Sequence, residues 1–142
     1  ALLPRVLSEA RRGDDALLRV LVGEFEKNGF NVIGSEQAHA SLLAPAGLIA
    51  GPQPDAALMA DLEVAARVAS ASGALDIGQA CVVCDGLVLA VEAQEGTDEM
   101  LRRCARLPET IRGNPGARRG VLVKRPKPVQ ERRIDLPTTG VS

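Results

Sequence analysis

The chain has 142 residues, 46% apolar and 25% charged, the size and balance of one folded domain or of two small ones sharing an interface. This excludes disordered, collagenous and low-complexity classes, and no apolar run reaches the roughly 18 residues of a membrane span. The net charge of −1 conceals an asymmetry: residues 1–101 hold 6 Lys/Arg and 15 Asp/Glu, whereas residues 102–142 hold 11 Lys/Arg and 3 Asp/Glu.

Leu2, Leu3, Val6, Leu7 and Ala10 recur at helical spacing, and two arginines before Gly13 suit the end of a short first helix. A second helix is expected from Asp14 or Asp15, with Leu17, Leu18, Leu21, Val22 and Phe25 as its apolar stripe and Asn28-Gly29 as its stop. Phe30 to Gly34 alternates enough for a strand, so the first 34 residues read as the tail of an α/β layer. Residues 35–54, rich in Gly and Pro, read as an irregular connector. Leu58, Met59, Leu62, Ala65, Ala66, Val68 and Ala69 predict a helix over 55–71, placed as a bridge between two domains.

Ala80–Cys84 and Leu87–Val91 flank Asp85-Gly86, a strong β-hairpin signal, and their apolar character on both faces sets the hairpin at the centre of a core. Gly96-Thr97-Asp98 opens a helix to about Arg106, with Met100, Leu101, Cys104 and Leu107 inward and acids in the first turn. Gly120–Lys124 is a further short strand, after which Pro126, Pro128 and Pro137 keep the chain extended. The expected fold is α/β: residues 1–44 the end of a first α/β domain, 45–75 connector and linker helix, and 76–142 a second α/β domain, incomplete at its end. The chain starts at Ala1 and stops at Ser142 just after a charged run, so a part of a longer polypeptide is expected.

Cys81-x-x-Cys84 has a spacing that can hold zinc or a disulfide. In a strand, however, the two thiols point to opposite faces and no second such pair follows, so core packing is expected. Three Cys, an odd count without repeated metal-like spacing, argue against a disulfide framework and for a reducing cytoplasm. His39, the single histidine, lies in the connector as a surface residue, which leaves an acyl-enzyme triad without its base. Two Phe and no Tyr or Trp count against base stacking on nucleic acid.

Glu92 and Glu95 follow the second hairpin strand, and Thr97 begins the next helix, where α/β proteins place ligand sites. The amides of Gly96 and Thr97 suit a phosphate and the two glutamates a divalent cation; a capping arrangement with a solvated acidic turn is the competing reading. In the run from Lys124 to Thr138, five cations surround Asp135, which alternation sets opposite Ile134 and Leu136. That carboxylate is either neutralised by an arginine or poised as metal ligand and base beside a polyanion.

Leu75-Asp76-Ile77-Gly78-Gln79, the stretch from Gly86 to Asp98, Lys124-Arg125-Pro126-Lys127-Pro128 and Ile134-Asp135-Leu136-Pro137-Thr138 come in an order and spacing that closely resembles the LpxI-type UDP-2,3-diacylglucosamine pyrophosphatases of lipid A biosynthesis. The resemblance implies a cytoplasmic, Mg²⁺-dependent hydrolase, usually a homodimer of two-domain subunits, that splits UDP-2,3-diacylglucosamine into lipid X and UMP. It also implies peripheral contact with the inner membrane surface and no nucleic-acid partner. Asp135 matches the acid of the family's Asp-Leu-Pro-Thr signature and is the implied catalytic residue. Lys124, Lys127, Arg133 and Thr97 are the implied phosphate-binding groups, and Asp135, Glu92 and Glu95 the implied metal ligands. The family's opening Gly-rich strand-turn-helix has no counterpart here, and Arg125 stands where a small residue is common. The alternative reading is a non-catalytic fragment, or a module binding nucleic acid or an anionic membrane surface through the basic C-terminal segment.

Overall fold

The computed structural model describes residues 14–128, with side chains from Leu17 onward. The helix expected over Leu2–Ala10 and the segment carrying Arg133 and Asp135 lie outside the described residues. The described chain divides between Ile49 and Ala50 into two compact units.

In the first unit, helix α1 spans Asp14–Lys27, within one residue of the expected start and stop. Its end is closed by the amide of Gly29 on the Glu26 carbonyl at 3.0 Å and that of Phe30 on the Phe25 carbonyl at 3.1 Å. This double closure brings the residue after the glycine back over the last turn, and the Phe25 and Phe30 rings meet edge to face with centroids 5.9 Å apart. Val22 is buried. Phe30–Gly34 forms no strand, contrary to the alternation read from it, since a strand needs a paired neighbour and none lies beside it among the described residues. A short helix α2, Ser35–Ala38, and a 3₁₀ turn, Ala40–Leu42, follow. Among the described residues His39 bonds locally, its Nδ1 lying 2.8 Å from Ser41 Oγ.

The second unit is a three-layer α/β arrangement. Helix α3 runs over Ala56–Ala74, capped by Asp55, whose carboxylate accepts the Leu58 amide at 2.8 Å. Strands β1 (Ala80–Cys84) and β2 (Leu87–Val91) form the expected hairpin. Its Asp85-Gly86 turn has φ of 51° and 78°, the doubly left-handed turn whose twist matches the strands and which glycine accepts without strain. Helix α4 (Gly96–Ala105) follows, then helix α5 (Glu109–Arg112), a two-residue strand pair β3 (Gly113–Asn114) and β4 (Ala117–Arg118), and strand β5 (Val121–Lys124). The main sheet has the order β2-β1-β5, with β1 antiparallel to both neighbours.

Alternation along β1 sends Cys81 and Val83 to one face, against Ala65 and Ala69 of α3. Ala80 points the other way and packs with Ala90 of β2 and with Met100 and Cys104 of α4. The 55–71 helix, expected as a linker between domains, is thus the cover of one sheet face. The small residues of its stripe let the helix approach the sheet closely, and this buries Ala65 and Ala69 completely. The hairpin is central only through β1. Leu87 and Val88 of edge strand β2 are exposed, and so is Leu101, expected inward on α4. Cys81, Cys84 and Cys104 are free and buried, as core packing requires. No helix among the described residues is long and apolar enough to cross a membrane.

The buried face of α3 also carries Asp61, one turn before Ala65 and 5% exposed. Its two oxygens accept the amides of Asp85 at 2.9 Å and Gly86 at 2.7 Å, so a helix carboxylate fastens the hairpin turn. These are charge-assisted bonds in a dry place, worth more than a neutral pair.

Candidate functional site

Because β1 is antiparallel to both neighbours, the C-terminal ends of β2 and β5 lie together beside the start of β1. Three connections meet there: 75–79 after α3, 92–95 after β2 and 125–128 after β5. Gly78 makes the meeting possible, since a Cβ on it would sit 2.0 Å from the Glu92 carbonyl oxygen. Lys127 passes the end of α3 at ordinary van der Waals range, its Cα 3.5 Å from where a Cβ on Gly73 would stand.

Glu92 extends the ladder by one residue, its amide donating to the Ala80 carbonyl at 2.9 Å. The residue is buried, 6% exposed. Oε2 accepts the Gln79 amide at 3.1 Å, and Oε1 accepts the Thr97 hydroxyl at 2.5 Å. The Thr97 oxygen in turn accepts from Lys124 Nζ at 3.0 Å. A buried carboxylate unpaired would be costly; here it is held by two donors, and a lysine stands one hydroxyl away. Three residues singled out from the sequence, Glu92, Thr97 and Lys124, are thereby joined in one hydrogen-bonded chain.

Arg125 and Lys127 border the same end. Arg125 donates its amide to the Gln79 carbonyl at 2.8 Å and its guanidinium to Ser70 Oγ at 3.0 Å. Lys127 Nζ lies 2.9 Å from Asp76 Oδ1. Asp76 itself sits at φ 56° and ends α3: its amide bonds the Gly73 carbonyl at 3.1 Å, and the next amide, of Ile77, bonds that of Ser72 at 3.0 Å. Aspartate tolerates this left-handed position better than most residues with a side chain. The side-chain oxygen of Gln79 is buried with no hydrogen-bond partner among the described residues.

Glu95 is engaged elsewhere. Arg103 Nη2 reaches its Oε1 at 2.9 Å and the Val91 carbonyl at 3.0 Å. Hydrogen bonding from its own backbone amide, then from Arg103, holds its carboxyl below the usual range. No three His, Cys, Asp or Glu side chains among the described residues come close enough together to hold a metal ion. Each Glu92 oxygen accepts one protein donor and Glu95 is tied to Arg103, so among the described residues both implied ligands already have protein partners. Arg133 and Asp135 lie outside the described residues.

The sequence pattern singled out Asp76 and Gln79 only as members of the Leu75–Gln79 motif, without a role, and did not single out Asp61. Asp61 was within reach, since it shares the i, i+4 row of Ala65 and Ala69 and so had to face the sheet. Gln79 takes part through its backbone amide and carbonyl, and Asp76 through both its turn position and its carboxylate on Lys127, partners that no local spacing shows.

The family model described as the LpxI C-terminal domain matches residues 45–142. The UDP-2,3-diacylglucosamine pyrophosphatase LpxI of Caulobacter vibrioides is 55% identical over 140 residues, which is 99% of this chain and 50% of that protein. The chain thus spans about half the length of the curated relative it matches. With the family's C-terminal domain matched over more than half of its residues and the relative aligned along nearly all of them, the chain belongs to the LpxI family.

Proposed function

We propose that this chain carries the pyrophosphate-cleaving part of a UDP-2,3-diacylglucosamine hydrolase acting in lipid A biosynthesis. The observation that carries the reading is the convergence of Thr97, Lys124 and Lys127 at one end of the sheet, supported by the relative's name and its 55% identity. In the reaction, a water oxygen forms a bond to one phosphorus and loses a proton, while the bridging P–O bond breaks. The bridging oxygen leaves with the other phosphate, and the products are UMP and lipid X. Lys124 and Lys127 donate to phosphate oxygens and offset charge as it gathers on the leaving group. The Glu92 carboxylate, through Thr97, fixes the position of the Lys124 ammonium. Arg133 is a further phosphate-binding group, and Asp135 takes the part of the residue that orients the attacking water.

Mg²⁺ enters the proposal only through Asp135. A homodimer working in the cytoplasm, in peripheral contact with the inner membrane where an acylated substrate resides, belongs to the same reading. The test is incubation of the complete natural protein with UDP-2,3-diacylglucosamine and Mg²⁺, followed by mass analysis. Equimolar lipid X and UMP are expected. Intact substrate, or products cut at another bond, would refute the proposal.

A further inference from the structure

At the other end of the sheet, beyond the Asp85-Gly86 turn, a cleft of about 260 Å³ is lined by Arg112, Gly113, Asn114, Pro115, Arg118 and Arg119. We propose that this cleft is a second anion site, distinct from the Glu92–Thr97–Lys124 end, that takes a phosphate group.

Two of the three guanidiniums are fixed by main-chain carbonyls. Arg112 donates Nε to Leu107 O at 2.7 Å and Nη1 to Gly113 O at 3.0 Å, and Arg119 donates Nη2 to Thr110 O at 2.9 Å. Carboxylates share the same two residues: Glu109 lies 3.6 Å from Arg112, and Asp85 is hydrogen-bonded to Arg119. Arg118 has an exposed side chain that makes no hydrogen bond or ion pair among the described residues. The cleft therefore combines two anchored guanidiniums with one whose donors are available. Such planar donor forks match a phosphate oxygen pair better than an ammonium does.

The backbone beneath is tightly determined. Asn114 Oδ1 accepts the amides of Gly116 and Ala117, both at 2.9 Å, and fixes the turn between β3 and β4. Gly113, at φ 77°, lies so close that a Cβ on it would stand 2.7 Å from Ala117 O. Of the cleft-lining residues only Gly113 is buried, so this order holds charged groups in place without covering apolar surface. Gathering like charges is unfavourable without a counter-charge, and two carboxylates for three guanidiniums leave room for an anion.

A phosphate oxyanion reaches such a cleft either as a free phosphate compound or as a lipid headgroup, and the test separates these sources. The full chain is titrated with inorganic phosphate and followed by amide chemical shifts. In parallel it is sedimented with vesicles of phosphatidylglycerol in phosphatidylcholine and with pure phosphatidylcholine. Arg118→Gln and Lys124→Gln variants go through both arms, and the shift spectrum itself reports whether each variant is folded. Saturable shifts at Gly113, Asn114 and Gly116, weakened roughly tenfold in Arg118→Gln and retained in Lys124→Gln, establish a site for free phosphate. Vesicle binding that requires phosphatidylglycerol and falls in Arg118→Gln, without those shifts, identifies a lipid headgroup as the source. The proposal is overturned if neither appears, or if Arg118→Gln leaves both unchanged.

Discussion

The Thr97 hydroxyl donates to Glu92 Oε1 at 2.5 Å while its oxygen accepts from Lys124 Nζ at 3.0 Å, so one threonine joins a buried carboxylate at the end of β2 to a lysine at the end of β5. Neither charged residue needs the other's direct contact. The hydroxyl serves one oxygen of the carboxylate and one donor of the ammonium in a place where Glu92 is nearly shut off from solvent.

Thr97→Val preserves shape and removes the hydroxyl, leaving Glu92 Oε1 without that donor. A destabilisation of about 1–3 kcal/mol is expected in urea unfolding, and Thr97→Ser should recover most of it. Equal stability of the valine and threonine proteins would mean that this bond contributes nothing.

Asp61→Ala strips the amides of Asp85 and Gly86 of their common acceptor and opens a small void under the hairpin. A loss of about 2–3 kcal/mol is expected, with Asp61→Asn intermediate because the amide can accept from only one of the two N–H groups. Chemical denaturation of the three proteins checks the ranking Asp, Asn, Ala.

Much of this arrangement was legible beforehand. The Asp85-Gly86 turn could be read because a two-residue loop with both φ positive restricts composition so strongly. The limits of α1 and α4 could be read from their stop and start residues. What failed has a shared cause: Phe30–Gly34 as a strand, the 55–71 helix as a bridge and Leu101 as a core residue all depend on which neighbour is present. Periodicity reports that a face is apolar and leaves open what covers it. At the site, Thr97 and Lys124 were found by motif, yet their meeting at Glu92 depends on β1 running between β2 and β5, a topology no local pattern encodes.

Burial raises the pKa of Cys81, Cys84 and Cys104 above the ordinary thiol value; Cys104 adds to the shift at Cys81, and Asp85 to that at Cys84. The folded chain therefore holds these protons more tightly than the unfolded one. Their contribution to stability is complete below the ordinary thiol range, about 8.5, and declines as pH rises past it. Alkylation at neutral pH should be slow in buffer and fast in urea, and the unfolding midpoint should fall on the alkaline side. Native thiols reacting at the unfolded rate would contradict their burial. Replacing Cys81 and Cys84 together by Ala should cost about 1–2 kcal/mol for each buried thiol and release no zinc.

Asp135→Ala in the complete protein should lower kcat by roughly 10²-fold or more while product affinity is kept or improved, since removing a negative charge beside a polyanion relieves repulsion. Steady-state kinetics with separately measured UMP and lipid X binding distinguishes this from a structural role. A variant with near wild-type kcat would return Asp135 to the part of a partner for a neighbouring arginine.

The most direct test of the account is kcat/KM for UDP-2,3-diacylglucosamine hydrolysis by the complete protein carrying Lys124→Gln, compared with the unaltered protein at low and high salt. If Lys124 meets the pyrophosphate, kcat/KM should fall roughly 10²-fold at low ionic strength, and the gap should narrow as salt screens the charge that was lost. A Lys124→Gln enzyme that matches the unaltered protein at both salt concentrations would contradict the placement of the reaction at the Glu92–Thr97–Lys124 end of the sheet.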